Sequence, residues 1–201
     1  MENVHDAAAD GAIDLLESLL RNDQSLIGDL DIHGRTALHY AAREGQVAAA
    51  VHLLSRGAHV NSRDKWGYTP LMLAIFEELL LVDRAPIVVA LIANGADVAA
   101  RDEDGNTALH HAAYDDDIAV IDALIAAGSD INSRSNNGNT PLHNAVSYPG
   151  RIKVDALLRV PDVDLSLRNN AGLTPRQQAS ENGRYELADL IGDAEVAIPI
   201  E

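Results

Sequence analysis

The chain has 201 residues, 47% of them hydrophobic, with 15 Lys plus Arg against 31 Asp plus Glu and a formal charge of -16. Acidity on that scale repels the phosphate backbone that supplies most nucleic-acid affinity, so DNA and RNA are excluded as expected partners and a basic protein is favoured. With no cysteine, disulfides, thiolate metal sites and a cysteine nucleophile are excluded together.

The apolar mass is mostly Ala, Leu, Val and Ile, with 1 Trp, 5 Tyr and 1 Phe, which predicts thin helices held closely together. The opening MENVHDAAADG lacks the basic and apolar segments of a secretory leader. No stretch approaches the ~18 apolar residues that span a bilayer. A soluble cytoplasmic monomer without membrane contact is the expectation.

Residues 1–33 hold VHDAAADGAIDLLESLL, a pattern written again as LHYAAREGQVAAAVHLL after Thr36. The first copy lacks the Thr-x-Leu opening and reads as an N-terminal capping unit. In residues 34–66, Thr36 caps a helix through Leu38, Ala41 and Ala42 that stops at Gly45. A second helix carries Val47, Ala50, Leu53 and Leu54 to Gly57, and the turn-rich AHVNSRDKWG follows. Residues 67–104 open with Thr69 and Pro70, proline being well suited to a first helical position. This unit is longer than its neighbours, with FEELLLVDRAP at 76–86. Leu79, Leu80, Leu81 and Val82 lie in that insertion, either folded against the second helix or left as a contact edge. Pro86 marks the restart of the second helix.

Residues 105–137 open with Thr107, and Asp116 of the run Asp115, Asp116 and Asp117 stands where a glycine is expected between helices. Aspartate tolerates left-handed backbone, and the run lacks the spaced ligands of a calcium loop, so it reads as a solvated turn. Residues 138–171 open with Thr140 and Pro141 and depart from the pattern at YPGR and VPDVD, read as local loop changes without catalytic meaning. Residues 172–192, with Thr174, Pro175 and Gln177 in place of the usual histidine, form a polar C-terminal cap. Residues 193–201, DAEVAIPIE, read as a loose tail, with docking of its apolar residues as the alternative.

The threonines recur at spacings of 33, 38, 33 and 34 residues, the period of a stacked repeat in which each unit buries its apolar face against its neighbours. The lines TALHYAAREG, TPLMLAI, TALHHAA, TPLHNAV and TPRQQASENG, with the endings LLSRGAHVN, LIANGADVA and LIAAGSDIN, resemble the ankyrin-repeat family over almost the whole chain. The resemblance implies an all-α repeat solenoid in one domain, 1–201, of stacked helix-turn-helix units with connecting β-hairpin loops, about six units counting caps. It also implies partner binding on a concave surface made by hairpin tips and first helices.

His39, His110 and His143 recur at one position, but stacked helix pairs stand ~10 Å apart, too far for one metal ion with ligands at ~2.1 Å. The resemblance gives these histidines a structural role in the loops. Arg63, Arg101, Arg134 and Arg168 form a second column, read as pairing with neighbouring acids such as Asp64 and Asp102. Neither a GxxxxGK loop nor a Gly-x-Ser-x-Gly elbow occurs, so no enzyme, cofactor or metal is expected.

Carried residue by residue, the family's variable positions include Lys65, Trp66, Tyr68, Phe76, Glu77, Asp104, Asn106, Tyr114, Asp115 and Tyr148. His33, Arg35, Arg43 and Glu44 share those positions in the first full repeat. Five of the seven aromatics fall in this set, and Trp and Tyr are the side chains that anchor protein interfaces. The expected function is non-catalytic binding of a protein partner. The alternatives are an acidic inhibitor or immunity-type protein that neutralises a basic enzyme or toxin, and a small-molecule site near Phe76 or Tyr114.

Overall fold

The computed structural model describes residues 3–76 and 83–197. They form helices joined by tight turns, with no β-strand among the described residues, and fall into two compact units, Met1–Glu103 and Asp104–Glu201. No helix among the described residues is long and apolar enough to cross a membrane. The insertion residues Leu79, Leu80, Leu81 and Val82, and Glu77 beside them, lie outside the described residues.

The first unit contains α1 (Val4–Ala9), α2 (Ile13–Asn22), a 3₁₀ turn (Gln24–Gly28), α3 (Ala37–Arg43), α4 (Val47–Ser55), α5 (Pro70–Phe76) and α6 (Ala85–Ala93). Helix α1 packs on α3 and α3 on α5, while α2 packs on α4 and α4 on α6, so each helix pair lies along the next. Small residues permit this close approach, since Ala37, Ala41, Ala42, Ala49 and Ala50 are fully buried. Helix α6 starts at Ala85, with Pro86 in its first turn, as the sequence predicts.

The second unit contains α7 (Ala108–Ala112), α8 (Ile118–Ala126), α9 (Pro141–Ala145), α10 (Ile152–Leu158), α11 (Pro175–Glu181) and α12 (Tyr185–Ala197). First helices again stack on first helices, α7 on α9 and α9 on α11, and second on second, α8 on α10 and α10 on α12. Helix α12 continues through Ala197, so residues 193–197 of the expected tail are helical. An ion pair between Arg176 Nη1 and Glu195 Oε2, 2.9 Å long, fastens that extension.

The threonine start signal works through a reciprocal cap. In α3, α7 and α9 the Thr backbone N–H donates to Nδ1 of the histidine three residues on, at 3.0 Å for Thr36, 3.1 Å for Thr107 and 3.1 Å for Thr140. An Nδ1 that accepts leaves the ring proton on Nε2, which donates to a carbonyl of the next turn. The acceptors are Tyr68 O at 3.1 Å from His39, Asn139 O at 3.0 Å from His110 and Leu173 O at 2.9 Å from His143. In the capping unit His5 reaches the same kind of acceptor, Arg35 O, at 3.1 Å. In the last unit Gln177 supplies the cap alone, accepting from Thr174 N at 3.0 Å.

This geometry requires neutral imidazoles, and burial pushes both His39 and His143 below the ordinary histidine value of 6.5. A proton-binding constant depressed in the fold means that the unfolded chain takes up protons first as pH falls. Stability from these rings is therefore complete above about pH 6.5 and declines below it. We expect the urea midpoint to hold between pH 8 and 7 and to fall from pH 6.5 toward 5, above the window in which carboxylates protonate. The slope should flatten in His143→Gln; an equal slope in that variant would sink this account.

Two sequence expectations are corrected. At three positions of the arginine column the guanidinium donates to backbone: Arg63 Nη2 to the Arg101 carbonyl, Arg134 Nη2 to the Arg168 carbonyl at 2.8 Å, and Arg168 Nη1 to the Gly172 carbonyl of its own turn at 2.7 Å. Asp64, expected to pair with Arg63, is taken by Arg35 instead, at 3.1 Å. Asp116 does not adopt left-handed backbone, since no residue other than glycine has a positive φ among the described residues. Asp117 caps α8 in the ordinary way, accepting from Val120 N at 3.2 Å.

Candidate partner-binding surface

In the first unit the turn carrying Lys65, Trp66 and Tyr68 is organised by one carboxylate. Asp64 Oδ1 accepts from Trp66 N at 3.0 Å and Tyr68 N at 2.9 Å, and Oδ2 accepts from Arg35 Nε at 3.1 Å. The preceding turn has the same form, with Asp31 Oδ1 accepting from His33 N and Arg35 N, both at 2.8 Å. Aspartate at this place sets the turn because its side chain mimics the backbone acceptor a turn needs.

The rings then pack on what the turns present. Trp66 lies 5.4 Å from the His33 ring, and Arg35 places its guanidinium carbon 5.4 Å from the Trp66 centroid. Tyr68 and Phe76 stack at 5.2 Å with their planes 29° apart. Trp66 remains 42% exposed and Phe76 49%, so neither is a core residue. Lys65, also exposed, donates from Nζ to the Ile32 carbonyl. On α3, Arg43 pairs with Glu44 at 2.7 Å and stands 5.3 Å over the Tyr40 ring.

In the second unit Tyr114 and Tyr148 meet edge to face, centroids 5.4 Å apart and planes at 87°. They are 40% and 55% exposed, and Asp115 is exposed beside Tyr114. Asp104 is exposed on its turn and its carbonyl accepts from Asn136 N at 2.8 Å, while Asn106 is half-buried. A recess of 1050 Å³ in this unit lies elsewhere, among Leu165, Arg168, Arg176, Gln177 and Glu195, and holds none of the predicted residues.

The sequence reading missed the polar groups beneath these rings. Helices α4, α6 and α8 bury Ala49, Ala50 and Leu53; Ile87, Val88 and Leu91; and Val120, Ile121 and Leu124, while α10 buries Lys153, Val154 and Leu157 in the same register. A lysine at a position that is apolar in the other copies is a signal that the sequence contains. Its Nζ donates to the Tyr114 and Pro149 carbonyls, each at 3.0 Å. Burial pushes the Lys153 ammonium below the ordinary lysine range, opposed by Asp116 and then Asp115. Asp64 was visible only as one half of a loop pair; two of its acceptor contacts lie within its own turn and the third comes from Arg35 of the preceding turn.

These features define a helical repeat protein whose turn tips display half-exposed rings over buried polar ties. The family description of ankyrin repeats (3 copies) matches residues 4–83 and 81–168, and the chain belongs to the ankyrin-repeat family. Among curated proteins it is 34% identical over 107 residues to the transient receptor potential cation channel subfamily A member 1 of Homo sapiens, covering 53% of this chain and 9% of the channel. It is 32% identical over 134 residues to an L-asparaginase of Dirofilaria immitis, covering 53% of this chain and 22% of that protein. Against the human neurogenic locus notch homolog protein 2 it is 36% identical over 107 residues, 53% of this chain and 4% of that protein. The chain thus spans less than a quarter of each of these relatives. Ankyrin repeats generally mediate protein-protein interaction.

Proposed function

We propose that the chain is a non-catalytic binding module whose turn tips and first helices take a basic partner protein. The observation that carries this reading is the placement of the aromatics: in a chain with only seven, Trp66, Phe76, Tyr114 and Tyr148 stand 40% or more exposed on turns and helix ends. Lys65, Tyr68, Asp104, Asn106, Asp115 and Glu77 complete the proposed contact set. A guanidinium or ammonium inserted among rings and acids gains both cation-π and ionic contact, and the charge of -16 speeds its approach. The insertion Leu79, Leu80, Leu81 and Val82 is a further proposed contact.

Because the rings are already packed, little ordering is needed on binding, and each can contribute most of its contact. Removing Trp66, Tyr68 or Phe76 as alanine is expected to weaken the complex by about 1–3 kcal/mol each. The experiment is affinity capture from the source lysate with the wild type and with a folded Trp66→Ala, Tyr68→Ala, Phe76→Ala variant. A partner lost with the variant supports the surface; equal capture overturns it.

The acidity supports a second, narrower reading: an inhibitor or immunity-type protein that covers a basic enzyme or toxin. Affinity for the captured partner would then fall steeply between low and high salt. A salt-insensitive complex would leave the aromatic anchors as the main contact and remove this version.

A further inference from the structure

Lys153 breaks the pattern of its own repeat. It lies in the first turn of α10, in register with Ala49, Ile87 and Val120, and its side chain is 2% exposed. Burying an ammonium opposes folding unless every proton finds a partner, and an apolar side chain would fill this place without that burden. Positions where a sequence violates its own local rule tend to serve function.

Two carbonyls accept from the ammonium and a carboxylate stands at ion-pair distance, and these partners come from two different turns. Tyr114 O belongs to the turn after α7 and Pro149 O to the turn after α9, each 3.0 Å from Nζ; Asp116 Oδ1 is 3.9 Å away. The same Asp116 oxygen accepts from the backbone N–H of Lys153 at 3.2 Å. Gly150 leaves room for that carboxylate: its φ is 130°, and a Cβ there would stand 2.6 Å from Asp116 Oδ2. One charged clip therefore joins the two turns that carry Tyr114 and Tyr148.

An edge-to-face contact between two half-exposed rings on separate turns is too weak to fix either turn by itself. We propose that Lys153 is a positioning residue, whose ammonium sets the spacing of the two turns so that Tyr114 and Tyr148 stand as one preformed anchor for the basic partner. The proposal rests on the reading of these tyrosines as partner contacts. It explains why a lysine occupies a core position, and why the irregular Pro149-Gly150 step lies opposite the aspartate run.

The test reads ring geometry without any partner. In the unsubstituted chain, ring protons of Tyr114 and Tyr148 should show mutual nuclear Overhauser effects and upfield ring-current shifts; their absence overturns the proposal. In Lys153→Met both signals should be lost while far-UV circular dichroism stays helical. A lysine that only fills the core predicts the opposite split: an altered melting temperature with unchanged ring shifts.

Because the chain has no cysteine, Lys153→Cys offers a second route if the methionine variant fails to fold. Alkylation in denaturant with 2-bromoethylamine and refolding restores an ammonium at lysine length and should restore the ring shifts. Alkylation with a neutral ethyl group should not, and recovery with either group overturns the role of charge. Partner capture by Tyr148→Ala is measured separately. Undiminished capture there removes Tyr148 as a contact while the ring test still decides what Lys153 does.

Discussion

Replacing His143 with alanine is expected to lower the unfolding free energy by about 3 kcal/mol, one of the two largest effects of any single substitution foreseen for this chain. The ring is fully buried, accepts from Thr140 N at 3.1 Å, lies 2.9 Å from Thr140 Oγ1 and donates to Leu173 O at 2.9 Å. Alanine leaves a cavity and a buried N–H without its acceptor, an unsatisfied group that costs about 1–3 kcal/mol, while the Leu173 carbonyl keeps only its bond from Asn169 N at 3.0 Å. Glutamine is expected to cost less, about 1 kcal/mol, because Gln177 already performs the capping half of this role at Thr174. Urea denaturation of the two variants checks both numbers. A loss below about 0.5 kcal/mol for alanine would show that the clip is dispensable.

Asp64→Ala should be comparably damaging, at about 3–5 kcal/mol, for an electrostatic reason. The carboxylate is inaccessible to water and the Arg35 side chain facing it is 15% exposed, so solvent cannot take over when the acid is removed. Arg35 would be left without its counter-charge, and the N–H groups of Trp66 and Tyr68 would lose the acceptor that bends their turn. Trp66 is the chain's single tryptophan, so its fluorescence reports the turn directly. We expect a red-shifted emission in Asp64→Ala together with the lower urea midpoint. A double-mutant cycle with Arg35→Met separates the ion pair from the turn: a coupling energy under about 0.5 kcal/mol would assign the loss to the turn alone.

Much of this fold was legible because its signals are local. Thr36, Thr107, Thr140 and Thr174 each cap a helix by contacts three residues away, and Pro70, Pro86, Pro141 and Pro175 stand in first turns as proline's fixed φ requires. The correction at Asp64 concerns a partner one repeat away. Whether Asp64 faces Arg63 or Arg35 depends on how adjacent turns stack, and the spacing of charges along the chain does not encode that. Asp116 accepts from Lys153 across 37 positions, a contact invisible to any short window. For the candidate surface, turn position revealed exposure at Trp66, Phe76, Tyr114 and Tyr148. It did not reveal which rings would pair, because Tyr68 with Phe76 and Tyr114 with Tyr148 meet only after the helices set the turns.

The histidine clips also bear on how fast such a chain folds. His39, His110 and His143 reach carbonyls 29, 29 and 30 positions ahead. Each clip therefore closes a segment of nearly constant length, and the entropy of closure depends only on that length. Contact order is thereby capped at about one repeat for these ties, and lengthening the chain by further copies adds closures without making any of them longer. A protein built this way can grow by duplication while each new piece zips onto the last at an unchanged rate.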